Sequence, residues 1–135
     1  MRVYLAAQYN QKPEIALKKQ DLQALGFVVT STWTDEPENP QVSLKDITDE
    51  TLRGYAGRDL EEIDNADLLV LFTVDPDQLT RRGGRHVEYG YAVGKGIPTC
   101  LIGPRENIFH HLLPTDLCFP TWTAFLDAAR TGLAL

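Results

Sequence analysis

The chain has little that would crosslink, metallate or anchor it. Only two cysteines, Cys100 and Cys118, occur in 135 residues. Both fall in apolar runs, so they read as buried thiols in a reducing compartment. Together with His86, His110 and His111 they show no zinc-ligand spacing, and neither a structural metal nor a cofactor is expected. No stretch approaches the roughly 18 apolar residues of a membrane span. The run from Met1 to Ala7 is too short for a secretory leader, so a soluble cytoplasmic protein is the expectation. A net charge of −6 argues against a general nucleic-acid surface. The phosphate fingerprints G-x-x-x-x-G-K-[ST] and G-x-G-x-x-G are missing, which disfavours a nucleotide triphosphatase or a dehydrogenase. A G-x-S-x-G elbow is missing too, and there is no internal repeat.

What is present is an ordinary globular composition, 43% hydrophobic, in a length that suits one domain over residues 1–135. Apolar strands alternate with helical periodicity. Arg2–Ala6 reads as a first strand. Pro13 opens a helix that Gly26 closes, with Ile15, Leu22 and Leu25 at helical spacing. Phe27–Thr32 reads as a second strand. The polar segment Thr34–Lys45 is the longest loop and a candidate lid. Thr48–Asn65 reads as a helix with Leu52, Ala56, Leu60 and Ile63 on one face. Asp67–Val74, Pro98–Ile102 and Leu117–Phe119 supply three more strands. Gly84–Gly94 is a helix, Asn107–Leu112 a short one, and Thr121 caps a last helix ending near Gly132. This alternation predicts an α/β, flavodoxin-like (Rossmann-like) three-layer sandwich. Its five-stranded parallel sheet should have order 2-1-3-4-5.

The most informative stretch is Gly83-Gly84-Arg85-His86-Val87-Glu88-Tyr89-Gly90-Tyr91-Ala92. It places Glu88 on a small-residue helix start after an apolar strand, where open α/β sheets bind ligands. One helical turn either side of Glu88 stand Gly84 and Ala92, which leave the carboxylate room. The helix dipole and nearby N–H groups are expected to keep it ionised, as a nucleophile requires. The alternative is an ordinary first-turn glutamate. Asp59 falls near the apolar face of its helix, so it is either functional or bonded to a neighbouring loop. Asp64 and Asp67 read as structural. Tyr4 and Trp33 lie at strand positions facing one crevice, where aromatics either stack on a nucleobase or pack the core. Arg81, Arg82 and Arg85 form either a small-anion site or a solvated cluster.

Several pieces in order resemble the nucleoside 2-deoxyribosyltransferase family, including its 2′-deoxynucleoside 5′-monophosphate N-hydrolase branch. They are Val3-Tyr4-Leu5-Ala6, Arg58-Asp59-Leu60, Ile63-Asp64-Asn65-Ala66-Asp67, Val87-Glu88-Tyr89-Gly90-Tyr91-Ala92 and Gly103-Pro104-Arg105-Glu106-Asn107. The resemblance implies cleavage of an N-glycosidic bond by double displacement. Glu88 would attack C1′, Asp59 would protonate the departing base, and Tyr4 would orient Glu88. Trp33, Arg82, Gly83, Gly84, Arg85 and Asn107 would contact substrate. Asn107 would reach a neighbouring subunit's site, which implies a homodimer or higher homo-oligomer. The partner is then a nucleoside or nucleotide, with the sugar passed to another base or to water.

The transferases carry an acid six residues before the nucleophile, where this chain has Arg82. An arginine suits a 5′-phosphate better than a bare 5′-hydroxyl. A nucleotide-sensing module of the same fold is the alternative. A phospho-receiver is disfavoured, because Ala6-Ala7-Gln8 lacks the acidic pair that would hold its metal ion.

Overall fold

The computed structural model describes residues 1–36, 44–78 and 83–135. At its centre lie β1 (Arg2–Ala6) and β3 (Leu68–Phe72), buried from Val3 and from Leu68 onward. Strands covered on both faces need apolar side chains at every position, which is why neither segment alternates. With β2 (Val28–Val29), β4 (Thr99–Ile102) and β5 (Cys118–Phe119) they form a parallel sheet of order β2-β1-β3-β4-β5. The flavodoxin-like order expected from the alternation is therefore present. Among the described residues four α-helices flank the sheet: α1 (Lys12–Ala24), α2 (Asp49–Asp64), α3 (Gly84–Lys95) and α4 (Trp122–Thr131). Among the described residues no helix is long and apolar enough to cross a membrane.

The helices touch in pairs. Trp122 Nε1 of α4 donates to Asp21 Oδ2 of α1 at 2.9 Å, and the Tyr91 hydroxyl of α3 donates to Asp64 Oδ1 of α2 at 2.8 Å. Thr48 and Thr121 cap α2 and α4, accepting from the N–H groups of Thr51 and Ala124. Asp67 is structural as expected, since its Oδ2 accepts from the Arg2 N–H at 2.8 Å.

Two expectations change. The strand expected at Phe27–Thr32 is only Val28–Val29, because side chains take over its ladder. Thr30 N–H still donates to Val3 O at 2.8 Å, but the Leu5 N–H then finds Ser31 Oγ at 3.2 Å instead of a carbonyl. Thr32 turns away to Glu62 through its N–H and its hydroxyl, at 3.0 and 2.7 Å. In α2 only Ile63 of the expected apolar face is fully buried; Leu52 and Leu60 are half-buried and Ala56 is exposed. A 16-residue helix is about 24 Å long and a five-residue strand about 17 Å, so α2 overshoots the sheet. The candidate lid at Thr34–Lys45 falls largely on residues 37–43, outside the described residues.

Beyond β4 the chain turns at Gly103, with φ +114°. A Cβ there would stand 2.5 Å from Thr73 Oγ1 and 2.8 Å from Thr73 O, the latter a backbone atom that cannot yield cheaply. Gly103→Ala should therefore destabilise the protein by roughly 1–3 kcal/mol. A thermal melt should show a midpoint several degrees lower, and an unchanged midpoint would mean the β4 exit relaxes freely.

Candidate active site

Helix α3 begins at a left-handed Gly83, φ +66°, and buries Arg85, Tyr89 and Ala92 along one stripe. Their spacings of four and three residues are those of a single helical face. Glu88 lies three residues after Arg85 and four before Ala92, so the same face carries it inward. It meets Tyr4, a fully buried side chain of β1 whose hydroxyl donates to Glu88 Oε2. Sequence reasoning paired these two residues, and the structure brings them together. Asp59 of α2 lies near enough to act electrostatically on both.

Burial dominates the electrostatics here. It pushes the Glu88 carboxyl up to about 8, and the Tyr4 hydrogen bond pulls the other way while negative charge on Asp59 and Glu62 adds to the rise. The expectation that the helix dipole keeps Glu88 ionised is thus overturned. Glu88 is the fifth residue of α3, past the unpaired N–H groups of the first turn, where the dipole's influence ends. Burial and the neighbouring carboxylates of Glu88 and Asp59 raise the Tyr4 phenol far above its ordinary range. Tyr4 is accordingly a permanent donor.

Asp59 is half-buried and also raised, first by burial, with the Arg58 guanidinium opposing. Arg58 donates to Asp59 Oδ1 from Nε and Nη2, at 3.2 and 3.0 Å, and from Nη1 to Glu36. Arg58, Glu36 and Glu62 were missed as site residues. Arg58 adjoins Asp59 in sequence, so a charge next to an inward-facing acid was the available signal.

The remaining candidates are scattered. Trp33 is 7% exposed and donates Nε1 to Leu5 O at 2.8 Å, with its ring centroid 6.4 Å from that of Tyr9. Asn107 caps its own 3-10 turn, Oδ1 accepting from the Phe109 N–H at 2.9 Å. Gly83 and Gly84 open α3. Arg85 is buried, and both Glu106 oxygens accept from its Nη2 at 2.7 Å. Its charge is already engaged, so the anion-site reading passes to Arg81 and Arg82, which lie outside the described residues. A polar cleft of about 400 Å³ between α1 and the ends of β3 and β4, lined by Lys18, Thr73 and Trp122, contains none of Tyr4, Asp59 and Glu88.

Among the described residues one trio brings metal-ligand atoms together: His86, Glu106 and His110 place them within 4.8 Å. The chemistry does not fit a cation. Arg85 occupies both oxygens of Glu106, and His110 Nδ1 accepts from the Glu106 N–H at 3.0 Å. A neutral His110 then carries its proton on Nε2 and has no lone pair left there.

The raised carboxyl of Glu88 makes a sign-specific prediction. Its folded pKa of about 8 exceeds the ordinary 4.5, so the folded state binds the extra proton between those values. Stability from this group is fully present below about pH 4.5 and is lost as pH rises through about 8. Glu88→Gln should flatten that decline and melt higher than the native chain at pH 8.5. Parallel melting-temperature profiles for the two proteins would contradict the burial argument.

No family model and no curated protein matches the sequence. Solved structures do. A 2-deoxyribosyltransferase of the psychrotolerant bacterium Bacillus psychrosaccharolyticus matches with TM-score 0.64 and 24% identity, over 98% of this chain and 92% of that one. A CMP N-glycosidase of Clostridium botulinum matches with TM-score 0.60 and 19% identity, over 98% and 100%. A conserved protein of Enterococcus faecalis V583 matches with TM-score 0.56 and 20% identity, over 96% and 74%. The chain therefore has the fold on which a 2-deoxyribosyltransferase and a CMP N-glycosidase are built.

Proposed function

We propose that the protein is a member of the nucleoside 2-deoxyribosyltransferase family. As one catalytic domain over residues 1–135 it cleaves the N-glycosidic bond of a ribo- or deoxyribonucleoside or its 5′-monophosphate. The observation that carries this reading is the bond from the Tyr4 hydroxyl to Glu88, with Asp59 beside it. A surface glutamate has no use for a buried phenol donor. A nucleophile does, because the donor fixes which oxygen lone pair faces the sugar. Likeness of fold to two enzymes of N-glycosidic bonds supports the same reading.

In the proposed reaction a Glu88 oxygen bonds to C1′ as the C1′–N bond breaks. The bonding pair leaves on the base nitrogen, which takes a proton from Asp59. Water or a second base then attacks C1′, the ester bond to Glu88 breaks, and the incoming nucleophile's proton returns to Asp59. This sequence needs one carboxyl ionised and one protonated, and since burial keeps the proton on Glu88 at rest, that proton must pass from Glu88 to Asp59 before attack. Two desolvated acids sharing a site favour that count, since both ionise together only at high cost. Arg82 would hold a 5′-phosphate. Trp33 would border the base, and Asn107 would complete the site of a second copy in a homo-oligomer.

Incubation with nucleosides and 5′-monophosphates, followed by chromatography for free base, tests the reading. Glu88→Ala should lose base release by several orders of magnitude while remaining folded. A folded Glu88→Ala protein with native turnover would remove the mechanism. A native protein that binds nucleotide but never releases base would instead be a sensing module.

Arg82→Ala separates the substrate classes. It should weaken 5′-monophosphates by roughly 1.5–3 kcal/mol per charged hydrogen bond and leave nucleosides much less affected. Equal losses for both, measured as kcat/KM, would favour the nucleoside transferase.

A further inference from the structure

The residue before Asn107 stands at a junction that the proposed reaction leaves unused. Glu106 follows β4, and its side chain is 5% exposed. Besides the two bonds from Arg85 Nη2, its Oε1 accepts from the Val74 N–H at 3.0 Å, and His86 Nε2 lies 3.4 Å from its Oε2. Arg85 Nη1 donates to Gln8 Oε1 at 3.3 Å, and Gln8 Nε2 donates to Gln78 O at 3.2 Å. One ion pair therefore joins the segments that leave β1, β3 and β4 to the first turn of α3.

Two features say what the junction is for. Charges are expensive to bury, and apolar side chains would fill the same volume at less cost, so stability alone does not call for this pair. In addition, α3 starts at Gly83 with no side-chain cap. Nothing in that glycine start fixes how far the helix slides toward the sheet. Arg85 lies on the same face as Glu88, three residues earlier, and Gln8 follows Tyr4 by four residues in the chain leaving β1. The strand of Tyr4 and the helix of Glu88 are thus tied a second time, through Arg85 and Gln8.

We propose that Glu106, acting through Arg85, is a positioning residue that sets where α3 presents Glu88 to Tyr4. The proposal rests on Glu88 being the nucleophile for its kinetic consequence, but its structural consequence is measurable without turnover. Misplacing a reacting group by about 1 Å costs on the order of a hundredfold in rate.

The experiment uses Glu106→Gln and the double variant Arg85→Met/Glu106→Met, both checked by circular dichroism and thermal melting. The first leaves Arg85 buried without a carboxylate; the second removes both charges, so it carries the test if the first fails to fold. Glutamate labelled with 13C at the carboxyl carbon reports the titration of Glu88 directly. In either folded variant the Glu88 midpoint should move away from about 8, because loss of the Tyr4 bond raises it and entry of water lowers it. Groups facing Glu88, namely Tyr4, Asp59 and Glu62, are unaltered in both variants. For base release, kcat should fall about a hundredfold with KM within about threefold. Recovery of melting temperature in the double variant without recovery of kcat would separate positioning from stability. A folded variant with native Glu88 titration and native kcat overturns the proposal. A native protein that releases no base overturns the proposed function instead, and the titration then decides the positioning role alone.

Discussion

Tyr4 and Glu88 meet between the sheet and α3, where burial disfavours a free carboxylate. Much else in the molecule serves that meeting. Strand β1, buried from Val3 onward, holds the phenol still, and the Arg85, Tyr89 and Ala92 stripe turns Glu88 inward. Without the phenol, the carboxyl would lose the one bond that favours its charged form against burial. The acid and its donor are therefore best regarded as one unit, with the helix and the strand as its mounts.

Around that unit the polar groups are arranged in two shells of different purpose. On the α2 side, Arg58 grips Asp59 and Glu36, while Glu62 holds the chain leaving β2 through Thr32. These contacts are partly exposed and keep an acid close to Glu88. On the other side, Arg85 and Glu106 are buried and connect backbone segments rather than reactive groups. One arrangement surrounds the acids and the other ties backbone segments together, and they share no side chain.

Much of this was legible in the residues. Uninterrupted apolar runs and helical spacing gave the strand order, and the spacing of Gly84, Glu88 and Ala92 marked the inward acid. The rest depended on distance in space. Arg85 and Glu106 are 21 residues apart, in a helix–loop relation that no local period encodes. The truncation of β2 turns on Ser31 and Thr32 finding Leu5 and Glu62, partners remote in sequence. The raised carboxyl of Glu88 was misjudged for the same reason: helix position is a local property, and burial is not. Asn107 is placed by a short-range bond to Phe109 and Trp33 by a remote one to Leu5, and their contact with substrate stays an expectation from the sequence.

The two tryptophans of the chain sit in different surroundings. Trp33 is buried with its indole bound to the carbonyl of Leu5, the residue after Tyr4, while Trp122 is half-buried and bound to Asp21 where α4 meets α1. The protein thus contains two intrinsic fluorophores, one bonded to the strand that carries Tyr4 and one where α4 meets α1. Emission from Trp33 registers what happens around β1, and emission from Trp122 registers whether the scaffold is intact. Removing either indole leaves a single-colour optical gauge for the other, without any attached dye.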